Sequence, residues 1–475
     1  MVTFFPRVLT VTAILVFTFI HGVVRPWLLP SDAHGSSHLT IAAPPSPMRL
    51  HQQVSPAPPP PPPPSLAAST TNCVRARSHR RIIYASHSGF GNQELALRRA
   101  LLVAYAANRT LVLPPILRQS ELSFGPPEIR CRNSTWQGNF QHRANALYAG
   151  KAATSTHESL RDAFSFADLE ALGMRVIDFY SLAPSVLNSL AAAPLAPLGC
   201  AREDRYTART LREALRPLDS APTMLLGSAY FLKVDFEGLR HRDPCFNAVS
   251  DAVLHLPPAP RVRAAASAAI RSVSQPFASV HVRLSDGGVV AASASSTEVQ
   301  SALAARQLLN HELQWLNTRL GKRLPRGRSH VYVATNAPGG VRSPLLTPLC
   351  GGATRGAGAS TSLVCFDLTT LNATRTSEWG ALIERTVTRA SKVMGGVSSA
   401  TAALLLDQAI GAQARLGFFS TSKFCGPAGF RKSTFSEGIA LRWQQRHRAG
   451  QPPLCAHAME RALLQGRVAH GDLVY

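Results

Sequence analysis

Three short stretches of the chain carry residue types suited to holding a negatively charged group. The first is Ser88-Gly89-Phe90-Gly91-Asn92-Gln93. Glycines at Gly89 and Gly91 let the backbone turn sharply and let a ligand approach the amide N–H groups that open the next helix, where anions are favoured. The second is His281-Val282-Arg283, followed by Asp286 in an HxRxxD spacing. A guanidinium stays protonated at physiological pH and forms paired hydrogen bonds to phosphate oxygens. It lowers a barrier when the charge it meets grows in the transition state. The third is Ser433-Thr434-Phe435-Ser436, hydroxyl-bearing residues just ahead of a helical pattern, where a cap and an anion site share one geometry. Each has a plainer reading: a tight strand-to-helix turn, a strand-end arginine in a surface ion pair, and an ordinary capping motif. His281 is open to three roles: contact with the ligand, support of Arg283, or a core histidine. Asp286 either orients the loop backbone or is a solvated turn residue.

The elements around these stretches follow an α/β pattern. Arg81–Ala85 reads as a short buried strand, Glu94–Ala107 as a helix with Leu95, Leu101, Leu102 and Tyr105 on its apolar face, and Thr110–Leu113 as a strand stopped by Pro114-Pro115. That is one βαβ unit. Phe277–Arg283 predicts a strand ending in polar residues, which puts Arg283 at the C-terminal end where ligand sites of open α/β sheets lie. Further strands are predicted at Val331–Asn336, Ser362–Phe366 and Gly417–Thr421, a helix around Leu404–Ile410, and a last helix over Glu437–Gln445.

The 475 residues carry 50 Lys and Arg against 27 Asp and Glu, a formal charge of +23, almost all of the basic excess being arginine spread along the chain. Such a surface attracts polyanions. Zinc-finger spacing, an RNA-recognition signature and basic runs interleaved with aromatics are all missing, so no nucleic-acid partner is expected. A small anionic ligand such as a nucleotide diphosphate remains as the functional reading; a bias toward Ala, Arg and Pro is the bland one. The eight cysteines contain no CxxC pair, which fits long-range disulfides in an oxidising lumen, buried thiols being the alternative. Val8–Val24 is an uncharged stretch flanked by Arg7 and Arg25, at the short end for a spanning helix, a cleaved signal peptide being the alternative. Ser31–Asn72 is rich in Pro, Ser and Ala, with an unbroken proline run from Pro58 to Pro64 that forms an extended stalk. The expected layout is a tip and signal anchor over 1–30, a stem over 31–78, and α/β domains over 79–260 and 261–475. Sequons begin at Asn108, Asn133 and Asn372; the first, at a helix-to-strand junction, is expected to be enclosed and the other two open to glycans.

The segment SGFGNQELALRRALLVAYAANRTLVLPPIL resembles the opening of the GDP-fucose protein O-fucosyltransferase family. His281-Val282-Arg283, the Val331–Thr335 strand, the Leu404–Ile410 helix and Ser433–Ser436 resemble the family's HxR, VATD-like, VDLxI-like and STFS-like segments. Asn336 stands where the family commonly has an acid, and Ser420-Thr421-Ser422 competes with Ser433–Ser436 for the last of these. The resemblance implies a GT-B-like fold, two Rossmann-like domains facing a cleft, with the acceptor on the first and GDP-fucose on the second. It implies Arg283 and Asn92 as catalytic residues. Gly89, Phe90, Gly91, His281, Asp286, Asp407, Ser433, Thr434, Phe435 and Ser436 are implied at the donor.

The reaction implied is inverting transfer of fucose from GDP-fucose to a hydroxyl of a protein Ser or Thr. No Asp-x-Asp pair occurs, so no metal and no further cofactor are expected. HExxH, P-loop and GxSxG motifs are also missing. Glu94 and His87 lie near the first turn and are candidate general bases. Two other readings stay open: an α1,2- or α1,6-type fucosyltransferase acting on glycans, and a catalytically silent, membrane-tethered carbohydrate-binding protein on the same fold. A type II Golgi membrane location is expected, with the endoplasmic reticulum second.

Overall fold

The computed structural model describes Cys73 and residues 79–86, 89–117, 134–153, 159–283, 296–335, 340–370, 399–420 and 434–446, with short breaks inside some of these stretches. The apolar stretch Val8–Val24, the proline run, Asp286, Asn336, Ser433 and His87 lie outside the described residues. Among the described residues, no helix is long and apolar enough to cross a membrane.

Two sheets organise the head. The first holds β1 (Arg81–Ile83), β2 (Thr110–Leu113), β3 (Val176–Asp178) and β5 (Thr223–Leu225) in the order β3-β2-β1-β5. Every pairing in it is parallel. β2 and β5 are short runs buried throughout, as parallel sheets covered on both faces require, while β1 and the edge strand β3 are only partly buried. A separate two-stranded sheet pairs β4 (Arg205–Thr207) with β6 (Lys233–Asp235). The second large sheet has the order β11-β7-β8-β10-β9, from β7 (Phe277–Val282), β8 (Gly327–Thr335), β9 (Ala353–Thr354), β10 (Thr361–Phe366) and β11 (Phe418–Ser420). It is parallel except for β9 against β10.

In each sheet the chain builds outward from one strand in one direction and later returns to that strand's other side. β1 is flanked by β2 and β5, and β7 by β8 and β11. Such a reversal of strand order opens a crevice at the carboxyl ends of the strands, where α/β proteins bind ligands. The turn at Gly89 follows the carboxyl end of β1, and His281-Val282-Arg283 is the carboxyl end of β7.

Seven helices matter for the site: α1 (Phe90–Ala106), α2 (Ser134–Ala153), α3 (Pro244–Leu254), α4 (Pro260–Arg271), α5 (Ser296–Arg323), α6 (Ser399–Gly411) and α7 (Thr434–Arg446). Alternation along β7 separates its two faces. Ala278, Val280 and Val282 pack with Leu313, Leu316 and Leu320 of α5. Phe277 joins Tyr332, Phe366, Ile410, Ile439 and Trp443 in a core that is continuous with Leu97, Leu101 and Phe246. The two α/β halves therefore share one apolar core along α1, α6 and α7.

Among the described residues two disulfides are formed, Cys73–Cys245 and Cys350–Cys365. Asn108 is exposed, contrary to the enclosed position expected for this sequon. Its neighbours Arg109 and Thr110 are the buried ones. The reason is a turn in the left-handed region (φ 51°) that closes α1 and points Asn108 outward; asparagine tolerates that conformation better than most residues.

Candidate active site

The first turn is tighter than its sequence suggests. The helix begins at Phe90 rather than Glu94, so Phe90, Gly91 and Asn92 form its opening turn. Gly89 is the extended N-cap, and its carbonyl accepts from the Asn92 and Gln93 amides at 2.9 and 3.2 Å. With no side chain at Gly89 there is no side-chain cap, and this end of the helix favours anions. Two side chains fix the turn from outside. Gln93 donates to the Leu117 carbonyl at 2.6 Å and accepts from the Leu117 amide at 3.0 Å, tying α1 to the segment after β2. Tyr148 of α2 donates to the Tyr84 carbonyl at 2.7 Å and accepts from the Ser86 amide at 3.1 Å, sealing the end of β1.

At the second sheet, His281 is the penultimate residue of β7 and Arg283 is the exposed residue just beyond it. His281 Nδ1 lies 2.5 Å from Ser436 Oγ, and Ser436 Oγ lies 2.7 Å from Ser420 Oγ. All three side chains are buried. Phe435 closes over the imidazole with 4.9 Å between ring centroids. Ser420 ends β11 and pairs in register with His281. The two serine segments that competed in the sequence are thus joined, through Ser420 and Ser436. Burial, aided by the Arg283 charge, pushes the His281 imidazolium down to about 3. The ring is neutral at physiological pH. Of its open roles, the geometry favours support: a neutral imidazole bonded to α7 holds the strand end from which Arg283 projects.

Asp407 sits apart from this chain. It is on α6, where it accepts a hydrogen bond from Tyr332. Burial, with the Asp367 charge adding, pushes its carboxyl up to about 7 despite that bond. Its contact is with the interior of β8.

Glu94 is not a general base. It is 2% exposed, with Oε1 accepting from Arg98 and from Arg442, each at 2.7 Å. Oε2 accepts from Gln408 at 3.0 Å. Burial alone would raise this carboxyl, but the Arg442 and Arg98 guanidiniums outweigh it and hold the group below the usual glutamate value. A carboxylate so neutralised has no reach to a substrate and little basicity.

That cluster also sets the spacing of the site. Gly438 of α7 passes so close to Glu94 that a Cβ there would fall 2.8 Å from Glu94 Oε2 and 2.9 Å from Gln408 Nε2. Glu94 and Gly438 are each four residues into their helices, about 6 Å of rise from the first residue. The opening turns of α1 and α7 therefore begin close to one crossing point, and His281 joins that point through Ser436. Hydrogen bonds and ring contact join the His281 strand end to the Phe435–Ser436 turn, and the Gly89–Asn92 turn opens the helix that meets α7 at Glu94 and Gly438. The structure does not bring Asp407 into this hydrogen-bond chain. Among the described residues, no group of three or more His, Cys, Asp or Glu side chains could hold a metal ion.

No family model matches the chain. A stretch of 106 residues is 36% identical to O-fucosyltransferase 30 of Arabidopsis thaliana. Over that stretch the chain is similar to the O-fucosyltransferases. The match covers 20% of this chain and 19% of the relative, so the chain spans about a fifth of the curated O-fucosyltransferase's length. The crystal structure of POFUT1 in complex with GDP-fucose overlaps 80% of this chain and 97% of its own at 13% identity, with a TM-score of 0.42. An Arabidopsis thaliana FUT1 mutant in complex with GDP overlaps 77% of this chain and 68% of its own at 11% identity, with a TM-score of 0.37. Overlaps of this size carry no inference about chemistry.

Proposed function

We propose that the chain transfers fucose from GDP-fucose to a hydroxyl of a protein Ser or Thr, with inversion and without a metal. The observation that carries this reading is that two helices touching at Glu94 and Gly438 each open on a turn suited to anions, one of them bonded through Ser436 to the strand end that bears Arg283. The O-fucosyltransferase relative supports the choice of donor. In this reaction the acceptor oxygen attacks C1 of fucose, the bond from C1 to the β-phosphate oxygen breaks, and GDP leaves with the electron pair. The hydroxyl proton passes to a base. Negative charge grows on the β-phosphate as the bond lengthens. Arg283 meets that charge directly, and the opening turns of α1 and α7 add fixed dipoles. Asn92, in the first turn of α1, orients the reacting sugar. Gly89, Phe90 and Gly91 line the approach on one side, and Thr434, Phe435 and Ser436 on the other.

The same reading carries the division into an acceptor half over 79–260 and a donor half over 261–475, in a GT-B-like arrangement. It also carries a type II anchor with a Pro-rich stem and a Golgi lumen location. Neither is needed for the chemistry.

The test is turnover of GDP-fucose by the purified full chain against a screen of protein and glycan acceptors, with GDP binding followed by calorimetry. Arg283→Ala is expected to lower kcat by about 100- to 1000-fold, as loss of one donor to a developing charge does elsewhere. Arg283→Lys keeps the charge but not the paired geometry, and should recover about a tenth of wild-type kcat or less. Transfer to glycans only would move the assignment to the glycan-modifying enzymes. GDP binding with neither transfer nor hydrolysis of GDP-fucose would favour a silent binding protein.

A further inference from the structure

The buried cluster at the crossing of α1 and α7 has no place in the chemistry above, yet it joins the segments that do. Glu94 is two residues beyond Asn92, Gly438 is two beyond Ser436, and Gln408 follows Asp407 on α6. Arg442 donates through one nitrogen to Glu94 at 2.7 Å and through the other to Gln408 Oε1 at 3.0 Å and the Gly438 carbonyl at 3.1 Å. Its guanidinium lies over the Phe164 ring, 5.4 Å from the centroid. Phe164 in turn stacks on Phe90 at 6.0 Å with 12° between the planes, and Phe90 is the first residue of α1. Arg98 reaches the other way, donating to the carbonyls of Val253, at 3.0 Å, and Leu254.

We propose that Glu94, Gln408, Arg442 and Gly438 form a positioning clamp that sets the register of α1 against α7, and so the distance between the Asn92 turn and the Ser436–His281–Arg283 side of the donor site. The proposal rests on the donor-site reading above. Ion pairs buried this deeply contribute little net stability relative to apolar packing, but they demand one geometry. The glycine at Gly438 leaves room for that geometry, since a Cβ there would press on the side-chain ends of Glu94, Gln408 and Arg442 and displace their hydrogen bonds. The clamp residues touch no substrate. They act on it through the two turns they align, and the strand end holding Arg283 stays on its own sheet whether or not the clamp closes. Loosening the clamp should therefore spare GDP binding and slow transfer.

The experiment uses the full chain with Gly438→Ala, which alters no charge, and Arg442→Lys, which keeps the charge but loses the fork. Leu320→Ala, in the separate core under α5, serves as a variant of lowered stability. Both clamp variants are expected to lower kcat by about 10- to 100-fold while the Kd for GDP stays within about threefold. Hydrogen exchange should quicken together in α1 and α7. Leu320→Ala should keep kcat per folded molecule within about twofold at a comparable loss of Tm. The proposal is overturned if clamp variants keep wild-type kcat, if Leu320→Ala loses as much, or if exchange in α1 is untouched by Gly438→Ala. Failure of wild type to bind GDP would instead defeat the donor-site reading, and the exchange measurement would still report on the clamp.

Discussion

His281 and Asp407 hold opposite positions in the pH dependence of folding. The His281 imidazole ionises near 3 in the folded chain because burial and Arg283 disfavour its charge, against about 6.5 when unfolded. Below pH 6.5 the unfolded chain binds the proton and the folded chain does not, so this residue makes stability fall as pH drops from 6.5 toward 3. The Asp407 carboxyl ionises near 7 when folded, against about 3.9 when unfolded. Between those values the folded chain holds the extra proton, so this residue makes stability fall as pH rises from 4 toward 7. From pH 4.5 to 6.5 the two slopes oppose each other, each approaching about 1 kcal/mol per pH unit. His281→Asn should leave the Asp407 slope exposed, so that stability relative to wild type drops as pH rises. Asp407→Asn should do the reverse, gaining on wild type by on the order of 2 kcal/mol between pH 4.5 and 6.5. Urea midpoints at three pH values read both. A flat difference from wild type in either variant would mean that the side chain it replaces is solvated rather than buried.

Among the elements, the crossing of α1 and α7 is where sequence reading and structure part most clearly. The strands were legible: Thr110–Leu113 and Phe277–Val282 are short runs rich in apolar residues, and β2 has the bounds expected of it. Arg283 was legible too, as the polar end of such a run. Glu94 was not. Its partners Gln408 and Arg442 lie 314 and 348 residues away, and no local pattern marks a glutamate that faces inward across that span. The glycine at Gly438 was the available signal, since a helix rarely keeps one unless something must approach closely. Glu94→Gln leaves two buried guanidiniums without their counter-charge and should cost about 3–5 kcal/mol at pH 7. Glu94 has a folded pKa below its unfolded value, so its contribution is complete above about pH 4.5 and fades as pH falls through the folded value. The gap between wild type and Glu94→Gln, followed by denaturation, should therefore narrow only in acid. A gap of constant size down to pH 3 would show that charge is not what the glutamine removes.

At the scale of the whole molecule, the two disulfides among the described residues constrain the chain very differently. Cys350–Cys365 closes a separation of 15 residues, and Cys73–Cys245 one of 172. In the chain-entropy account a cross-link stabilises by restricting the unfolded ensemble, and the effect grows with the logarithm of the loop. The longer bridge should be worth about 2 kcal/mol more on that basis. It also has a native role that the shorter one lacks. Cys73 is buried against α3 at Cys245. The far end of α3 presents the Val253 and Leu254 carbonyls to Arg98, which completes the charge balance around Glu94. The bridge thus fastens the start of the head to the helix that backs the α1–α7 crossing. Replacing both Cys73 and Cys245 by Ala should lower the unfolding free energy by about 2 kcal/mol more than replacing Cys350 and Cys365. It should also quicken hydrogen exchange in α1, whereas the other pair should leave α1 unchanged. Equal losses would show that the unfolded chain keeps residues 73 and 245 close without the bond. A larger loss with no change in α1 would confine the long bridge's effect to the unfolded state, and α3 would then stay seated on α1 by packing alone.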